Sequence, residues 1–205
     1  GRGLASDVNG AYPRNDGSVG QLPMKEGTPL YNIYNTDAAW GAQWNLSQLW
    51  ILAYPEYMSE YISSHLQTYK DAGWLADGLA NNRYVSGVGT NLLSTIIAGA
   101  YECGIRDFDT KTAYEACLKN ELEGKNRPFG AGKVNTTEFV KYGYVPHQDE
   151  GEGYHETFMF SASHTLEYSY STWAVAQWAK QLGDKSHYSQ LMDLSKGWER
   201  LYDSS

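Results

Sequence analysis

Clusters of basic residues are missing from this sequence. Its 205 residues carry 16 Lys and Arg against 24 Asp and Glu, a net charge of −8. No run of cations stands together, so the electrostatic footprint that a nucleic-acid backbone requires is absent. Long apolar runs are missing too, and none approaches the ~20 residues a helix needs to cross a bilayer. Cysteine is scarce. Cys103 and Cys117 are the only two, too few for a disulfide scaffold and not spaced as a metal pair. Each lies near an apolar helical stripe, which favours two buried free thiols over a bridge. There is no Gly-rich phosphate loop, no Gly-x-Ser-x-Gly elbow and no paired aspartate-rich motif. His155-Glu156 opens like a zinc-protease helix, but Met159 occupies the second histidine position, which excludes that reading. The chain opens Gly1-Arg2-Gly3, without a leader-like stretch, so location is not legible from composition.

What the chain has is aromatic surface with polar handles: 17 Tyr and 7 Trp against 5 Phe. Such side chains fill wide helix–helix gaps, and they also stack on sugar faces. The length suits one large domain or a substantial part of a bigger one.

Two regions differ in pattern. Residues 1–37, rich in Gly, Asn, Asp, Pro and Ser, read as an irregular strand-and-turn lead-in with turns at Asn9-Gly10 and Asp16-Gly17. Residues 38–205 read as helical throughout. A helix of less clean periodicity is predicted over Trp40–Leu52. A clear one starts at Pro55, a favourable first helical position, and stops at Gly73. Leu92 to Tyr101 carries the next stripe, ended by Gly104. Asp109 is placed to cap a third clear helix, through Leu122. A short helix is predicted near Thr137–Tyr142, a long one from Ser163 to Leu182, and a last one from Tyr188 to Tyr202. The polar segments 123–133 and 146–154 read as loops. Periodicity alone supports an all-α fold, which a helical repeat or bundle satisfies equally. Asn45-Leu-Ser47 and Asn135-Thr-Thr137 match the glycosylation acceptor pattern, a signal of low specificity.

The stretch Ser161–Trp173 reads SASHTLEYSYSTW, followed by AVAQWAKQLG to Gly183. It resembles the S-x-S-x-T-L-E-Y-x-Y-x-x-W segment of family 92 glycoside hydrolases. Further segments are similar to that family in the same order. They are Asp7–Tyr12 with Asn15–Gly17, Tyr69–Leu75 (YKDAGWL), Ile96–Asp109 (IIAGAYECGIRDFD) and Tyr142–Pro146 (YGYVP). The resemblance implies part of an (α/α)6 toroid, from a calcium-dependent, inverting exo-α-mannosidase whose partners are mannose-containing glycans and the remainder of the parent chain. It also implies a periplasmic or extracellular setting. The family's acid, base and calcium ligands are expected downstream, so this chain alone is expected to be inactive, with no metal site of its own.

Departures from the family pattern all remove carboxylates. Gly41 follows Trp40 where the family has the Asp of W-D-T, Gly99 replaces an Asp, and Ser171-Thr172 stand where two acids are usual. Asp37, three residues before Trp40, is a candidate stand-in for the first. Trp40 reads either as a sugar platform or as core. Glu167 reads either as an organiser of helix ends or as a hydrogen-bonding partner of a sugar hydroxyl. His164, on the same helical face, pairs with it in either role. Tyr168 reads as core. Trp74, placed in a loop after Gly73, is the better platform candidate. The acidic stretch Asp149–Glu152 reads as solvated, with calcium binding as the lesser alternative. Two functions therefore stand beside each other: a segment of a mannosidase-like enzyme, or a catalytically degenerate carbohydrate-binding or scaffold domain. A helical-repeat interaction domain is the third reading, disfavoured by the ordered matches.

Overall fold

A computed structural model of the chain describes residues 3–36, 39–85, 88–147 and 160–202. Helices dominate, joined by three two-stranded antiparallel hairpins. In the lead-in, β1 (Ala11–Pro13) pairs with β2 (Val19–Gln21), and β3 (Met24–Lys25) with β4 (Thr28–Pro29). Both expected turns form, with Gly10 and Gly17 at φ of +80° and +88°, where a side chain would be strained. Tyr12, Leu22 and Ile33 make a small core of their own. The Tyr12 hydroxyl donates to Asp71 Oδ2 at 2.7 Å, and the Asn32 backbone and amide both donate to Glu60. These bonds pin the lead-in to the long helix over Pro55–Ala72.

The helices are α1 (Ala39–Ala42), α2 (Leu46–Ala53), α3 (Pro55–Ala72), α4 (Leu93–Glu102), α5 (Thr110–Leu122), α6 (Thr136–Tyr142), α7 (Ser161–Leu182) and α8 (Lys185–Leu194), then a 3-10 helix over Gly197–Leu201. Their caps follow the sequence. Gly73 and Gly183 close α3 and α7 in the left-handed region, and the Asp109 carboxylate accepts from Thr112 N–H at 3.1 Å.

Three expectations need correction. The helix predicted over Trp40–Leu52 is two helices. Gly41 weakens the first turn, Asn45 starts α2 at φ −155°, and Gln48 Nε2 donates to the freed Gln43 carbonyl at 2.9 Å. The last predicted helix also divides. At Gly197 a Cβ would lie 2.4 Å from the Gly143 carbonyl oxygen, so the chain must turn there to pass the end of α6. Finally, the region after residue 38 is not helical throughout. β5 (Gly78–Ala80) and β6 (Arg83–Val85) form a hairpin around Asn81 and Asn82, at φ +50° and +57°. Two consecutive asparagines suit such a two-residue turn.

The main core lies between α3, α4, α5 and α7, where Met58, Ile62, Ile97, Cys117, Val175 and Trp178 meet. Tyr101 stacks on Trp178 at 4.5 Å between ring centres. Both cysteines are free, as expected, but only Cys117 is buried; Cys103 is exposed. Among the described residues no helix is long and apolar enough to cross a membrane.

Candidate functional site

Two elements far apart in sequence bring the best-placed pair together. Trp40, in α1, donates its indole N–H to Glu167 Oε1, in α7, at 3.1 Å. Trp40 is 40% exposed, so it is not a core residue. Glu167 is half-buried and forms a wall of an open cleft of about 420 Å³, with Gln43, Trp44, Gln48, Leu92, Leu166 and Tyr170. Burial raises the Glu167 carboxyl above its ordinary value, opposed by Thr90, the Trp40 indole and the Lys133 charge. Its other oxygen, with Thr90 beside it, is left without a well-formed hydrogen bond. That oxygen is buried, so what the cleft presents is an aromatic face, side-chain amides and the carboxylate edge that Trp40 holds, groups that can hold a sugar ring and its hydroxyls.

Asp77 positions this pair, and sequence reasoning missed it. Its backbone carbonyl accepts from Ala39 N–H at 2.9 Å, fixing the start of α1. Its buried carboxylate accepts from Gly89 and Asn91 N–H, both at 3.2 Å, which sets the loop carrying Thr90. The signal was the Asp77-Gly78 step before the unrecognised hairpin.

The other candidates fare differently. His164 is 2% exposed, and its Nε2 lies 3.1 Å from the Val88 carbonyl oxygen. Its ring stacks on Tyr168, and Nδ1 has no hydrogen-bond partner, so it does not pair with Glu167. Burial drops its pKa to about 4, which keeps it neutral. Trp74, expected as an open platform, is buried at 7%. Gly132 packs against its ring and the Lys119 ammonium sits 4.3 Å from its centre. Tyr168 is core, as expected, with its hydroxyl donating to the Val134 carbonyl at 2.6 Å. Asp37 and the acidic stretch 149–152 lie outside the described residues.

The positions that lack carboxylates are not equivalent. Ser171 is buried in a network with Glu121 and Lys133, away from the cleft. Lys133 Nζ reaches Glu121 Oε2 at 2.5 Å, the Ser171 hydroxyl donates to the same oxygen at 2.8 Å, and Ser94 donates to Oε1. Thr172 is buried with its hydroxyl on the Tyr168 carbonyl. Gly99 faces Ile51 of α2. Of these four, position 41 alone faces open space, next in sequence to Trp40, so only there would a carboxylate of the pattern that the chain resembles bear on the site.

Solved structures share this arrangement of elements. A family GH92 α-mannosidase from Bacteroides thetaiotaomicron, in complex with mannoimidazole, superposes over 98% of this chain and 24% of its own, with TM-score 0.78 at 21% identity. A GH92 inverting mannosidase of the same organism superposes over 95% of this chain and 25% of its own, at TM-score 0.74 and 21% identity. An uncharacterized secreted glycosidase of the fungus Arthroderma benhamiae is 33% identical over 159 residues, 75% of this chain and 20% of that protein. The chain thus spans about a fifth to a quarter of the length of these relatives. The glycosyl hydrolase family 92 catalytic domain matches residues 2–205, and with the fold and the ordered motifs in agreement, the chain belongs to that family.

Proposed function

We propose that the chain is one part of the catalytic domain of a glycosidase acting on α-mannosides, residues 1–37 serving as its lead-in and 38–205 as part of an (α/α)6 toroid. The observation that carries this reading is the Trp40–Glu167 pair, whose carboxylate lines the cleft. Trp40 offers a stacking face, and Glu167 accepts from a sugar hydroxyl. Inverting hydrolysis needs two carboxyl groups spaced to admit a water. Glu167 stands as the one carboxylate among the residues described as lining this cleft, so we assign the acid and base to the remainder of the polypeptide. The family also implies calcium. The described residues contain no group of three His, Cys, Asp or Glu side chains able to hold a metal; they do not fit it, and no step here runs through it. We place the protein outside the cytoplasm, a reading supported by its resemblance to a secreted glycosidase.

A second reading, a degenerate mannose-binding domain, is favoured by Gly41 at the family's aspartate position. One experiment separates them. The full-length polypeptide is incubated with aryl and disaccharide α-mannosides and calcium, and the anomer released is read by NMR. Turnover with inversion is expected. Mannoside binding without turnover would support the degenerate domain instead, and turnover by residues 1–205 alone would overturn the division of labour.

A further inference from the structure

Lys133 is a cation shut away from water. Its side chain is 1% exposed, and loss of hydration pulls its pKa down. Three neighbours offset that cost. Its Nζ lies 2.5 Å from Glu121 Oε2, donates to Ser171 Oγ, and stands 4.9 Å from the centre of the Tyr168 ring. Together they engage the three donors of an ammonium. A well-packed apolar pair often holds a core as firmly as a buried ion pair does, so stability alone does not account for a charge at this position.

Its place in the fold does. Ser171 follows Glu167 by one turn of α7, and residues so spaced share a helix face with Cβ atoms about 5–6 Å apart. Tyr168, the other α7 contact, is next in sequence to Glu167. The ammonium therefore sits behind the turn that presents Glu167 to the cleft, and Glu167 Oε2 is the buried oxygen of that carboxylate. The loop carrying Thr90 is fastened at the same level. Val134 N–H donates to the Gly89 carbonyl at 3.0 Å, and the Tyr168 hydroxyl donates to the Val134 carbonyl at 2.6 Å. Lys133 is thus tied through its neighbour to the loop, and through its side chain to the helix, that flank Glu167.

Charges alternate across this layer. Glu121 of α5 lies on the far side of Lys133, its oxygens also engaged by Ser94 and Ser171. Glu167 of α7 attracts the same ammonium. Glu167 in turn feels Lys133 favouring its ionised form and Asp77 opposing it. Two further groups face the layer among the described residues. Cys117 of α5 stays a neutral thiol, its pKa raised by burial, and Arg127 is a second cation acting on Tyr168.

We propose that Lys133 is a positioning residue of the site: anchored by Glu121 and Ser171, its buried ammonium supplies the positive charge that holds Glu167 as an anion at the cleft. Lys133 never meets the sugar; it acts through Glu167 alone. The Glu121–Ser171 pair acts one step further back, by fixing where that charge stands. The inference rests on the reading of Glu167 as a mannoside contact.

Two titrations of the full-length polypeptide, both without sugar, test it. The double variant Glu121→Leu, Lys133→Met empties the layer of its ion pair. Its Glu167 carboxyl carbon, followed by NMR, is expected to titrate at higher pH than in the unmodified protein. Ile62→Ala, which loosens the main core without changing any charge, is expected to leave that midpoint in place. The coupling is reciprocal, so Glu167→Gln should lower the pH at which Lys133 gives up its proton, read at the carbon beside its ammonium. An unmoved Glu167 midpoint in the double variant overturns the proposal. So does an equal rise in Ile62→Ala, which would make the effect one of packing. If the double variant does not fold, the Lys133 titration decides, and a midpoint unaltered by Glu167→Gln overturns the proposal. Mannoside affinity of the double variant should be about threefold weaker at the pH where the unmodified Glu167 is half ionised, and within about twofold of the unmodified value at pH 8. Because the titrations need no sugar, absence of mannoside binding would strike the functional reading and leave the Lys133 coupling standing.

Discussion

Glu121 and Glu167 are two buried or half-buried carboxylates facing opposite tasks. Glu121 is 1% exposed, and both of its oxygens are occupied, by Ser94, Ser171 and the Lys133 ammonium. Glu167 lines an open cleft, with one oxygen on the Trp40 indole and the other buried without a well-formed hydrogen bond. A saturated carboxylate has nothing left to offer a ligand. An unsaturated one holds acceptor capacity in reserve, at a cost to the fold. The same isosteric substitution, Glu→Gln, is therefore expected to act with opposite sign at the two positions.

The largest effect falls on the saturated site. Glu121→Gln leaves the Lys133 ammonium buried without its counter-charge, which costs about 3–5 kcal/mol. Urea denaturation should show the midpoint falling accordingly. Burial already pulls the Lys133 pKa down, so loss of its proton in the variant limits the damage. The double variant Glu121→Leu, Lys133→Met removes both charges and should recover much of the loss. If the single variant costs under ~1 kcal/mol, the pair is not buried in solution and the contrast with Glu167 collapses.

His65 extends the comparison to a polar group with neither nitrogen hydrogen-bonded, fully buried against Tyr61. Burial lowers its pKa from 6.5 to about 3. For a base whose folded value is depressed, the stability is fully present above the unfolded value, near 6.5. It is lost as pH falls from there towards 3. By pH 4 the loss amounts to about 3 kcal/mol. His65→Leu should flatten this part of the stability profile between pH 6.5 and 4; a parent slope retained in the variant would assign the acid sensitivity to other groups.

These sites also show what the sequence makes legible. Helix ends were readable wherever local chemistry decides them, as at Pro55, Gly73, Asp109 and Gly183. Trp40 and Glu167 could be nominated from the family resemblance, but 127 residues separate them, and their hydrogen bond is a fact of packing. Trp74 shows the reverse failure. Its place after a helix-stopping glycine suggested a loop platform, yet Gly132, from a distant segment, closes over the ring. The acid that the resemblance expects at position 171 could not be placed from the sequence, because helical spacing says nothing of which neighbour a serine meets. Lys133, in a polar stretch that reads as a loop, is the partner that gives Ser171 its role.

At the unsaturated site smaller effects are expected. Glu167→Gln removes a half-buried charge whose pKa burial has raised. For an acid with a raised folded value, the ionised form weighs against the fold at neutral pH, and that cost is relieved as pH falls. The variant should therefore be slightly more stable at pH 7, by under ~1 kcal/mol. Mannoside affinity of the full-length polypeptide should fall about tenfold, the value of a hydrogen bond to a charged acceptor. In the unmodified protein, affinity that depends on the carboxylate should decline on acidification with a midpoint above the usual 4.5. A stability loss like that of Glu121→Gln would make Glu167 a structural carboxylate too.

Trp40→Phe sharpens the contrast most finely, because it keeps an aromatic face and deletes only the indole N–H. Trp40 lowers the Glu167 pKa through its hydrogen bond, so the variant should let it rise further. The bond sits at an exposed position, and its net worth is about 0.5–1 kcal/mol. That predicts an upward shift, read by NMR titration of the Glu167 carboxyl carbon. Mannoside affinity should change by less than about threefold if stacking is the principal role of the ring. Trp40→Ala should lose considerably more. Should the carboxyl titrate identically with Trp or Phe at position 40, the pair is not formed in solution, and Glu167 must be oriented by Thr90 and the loop that Asp77 holds.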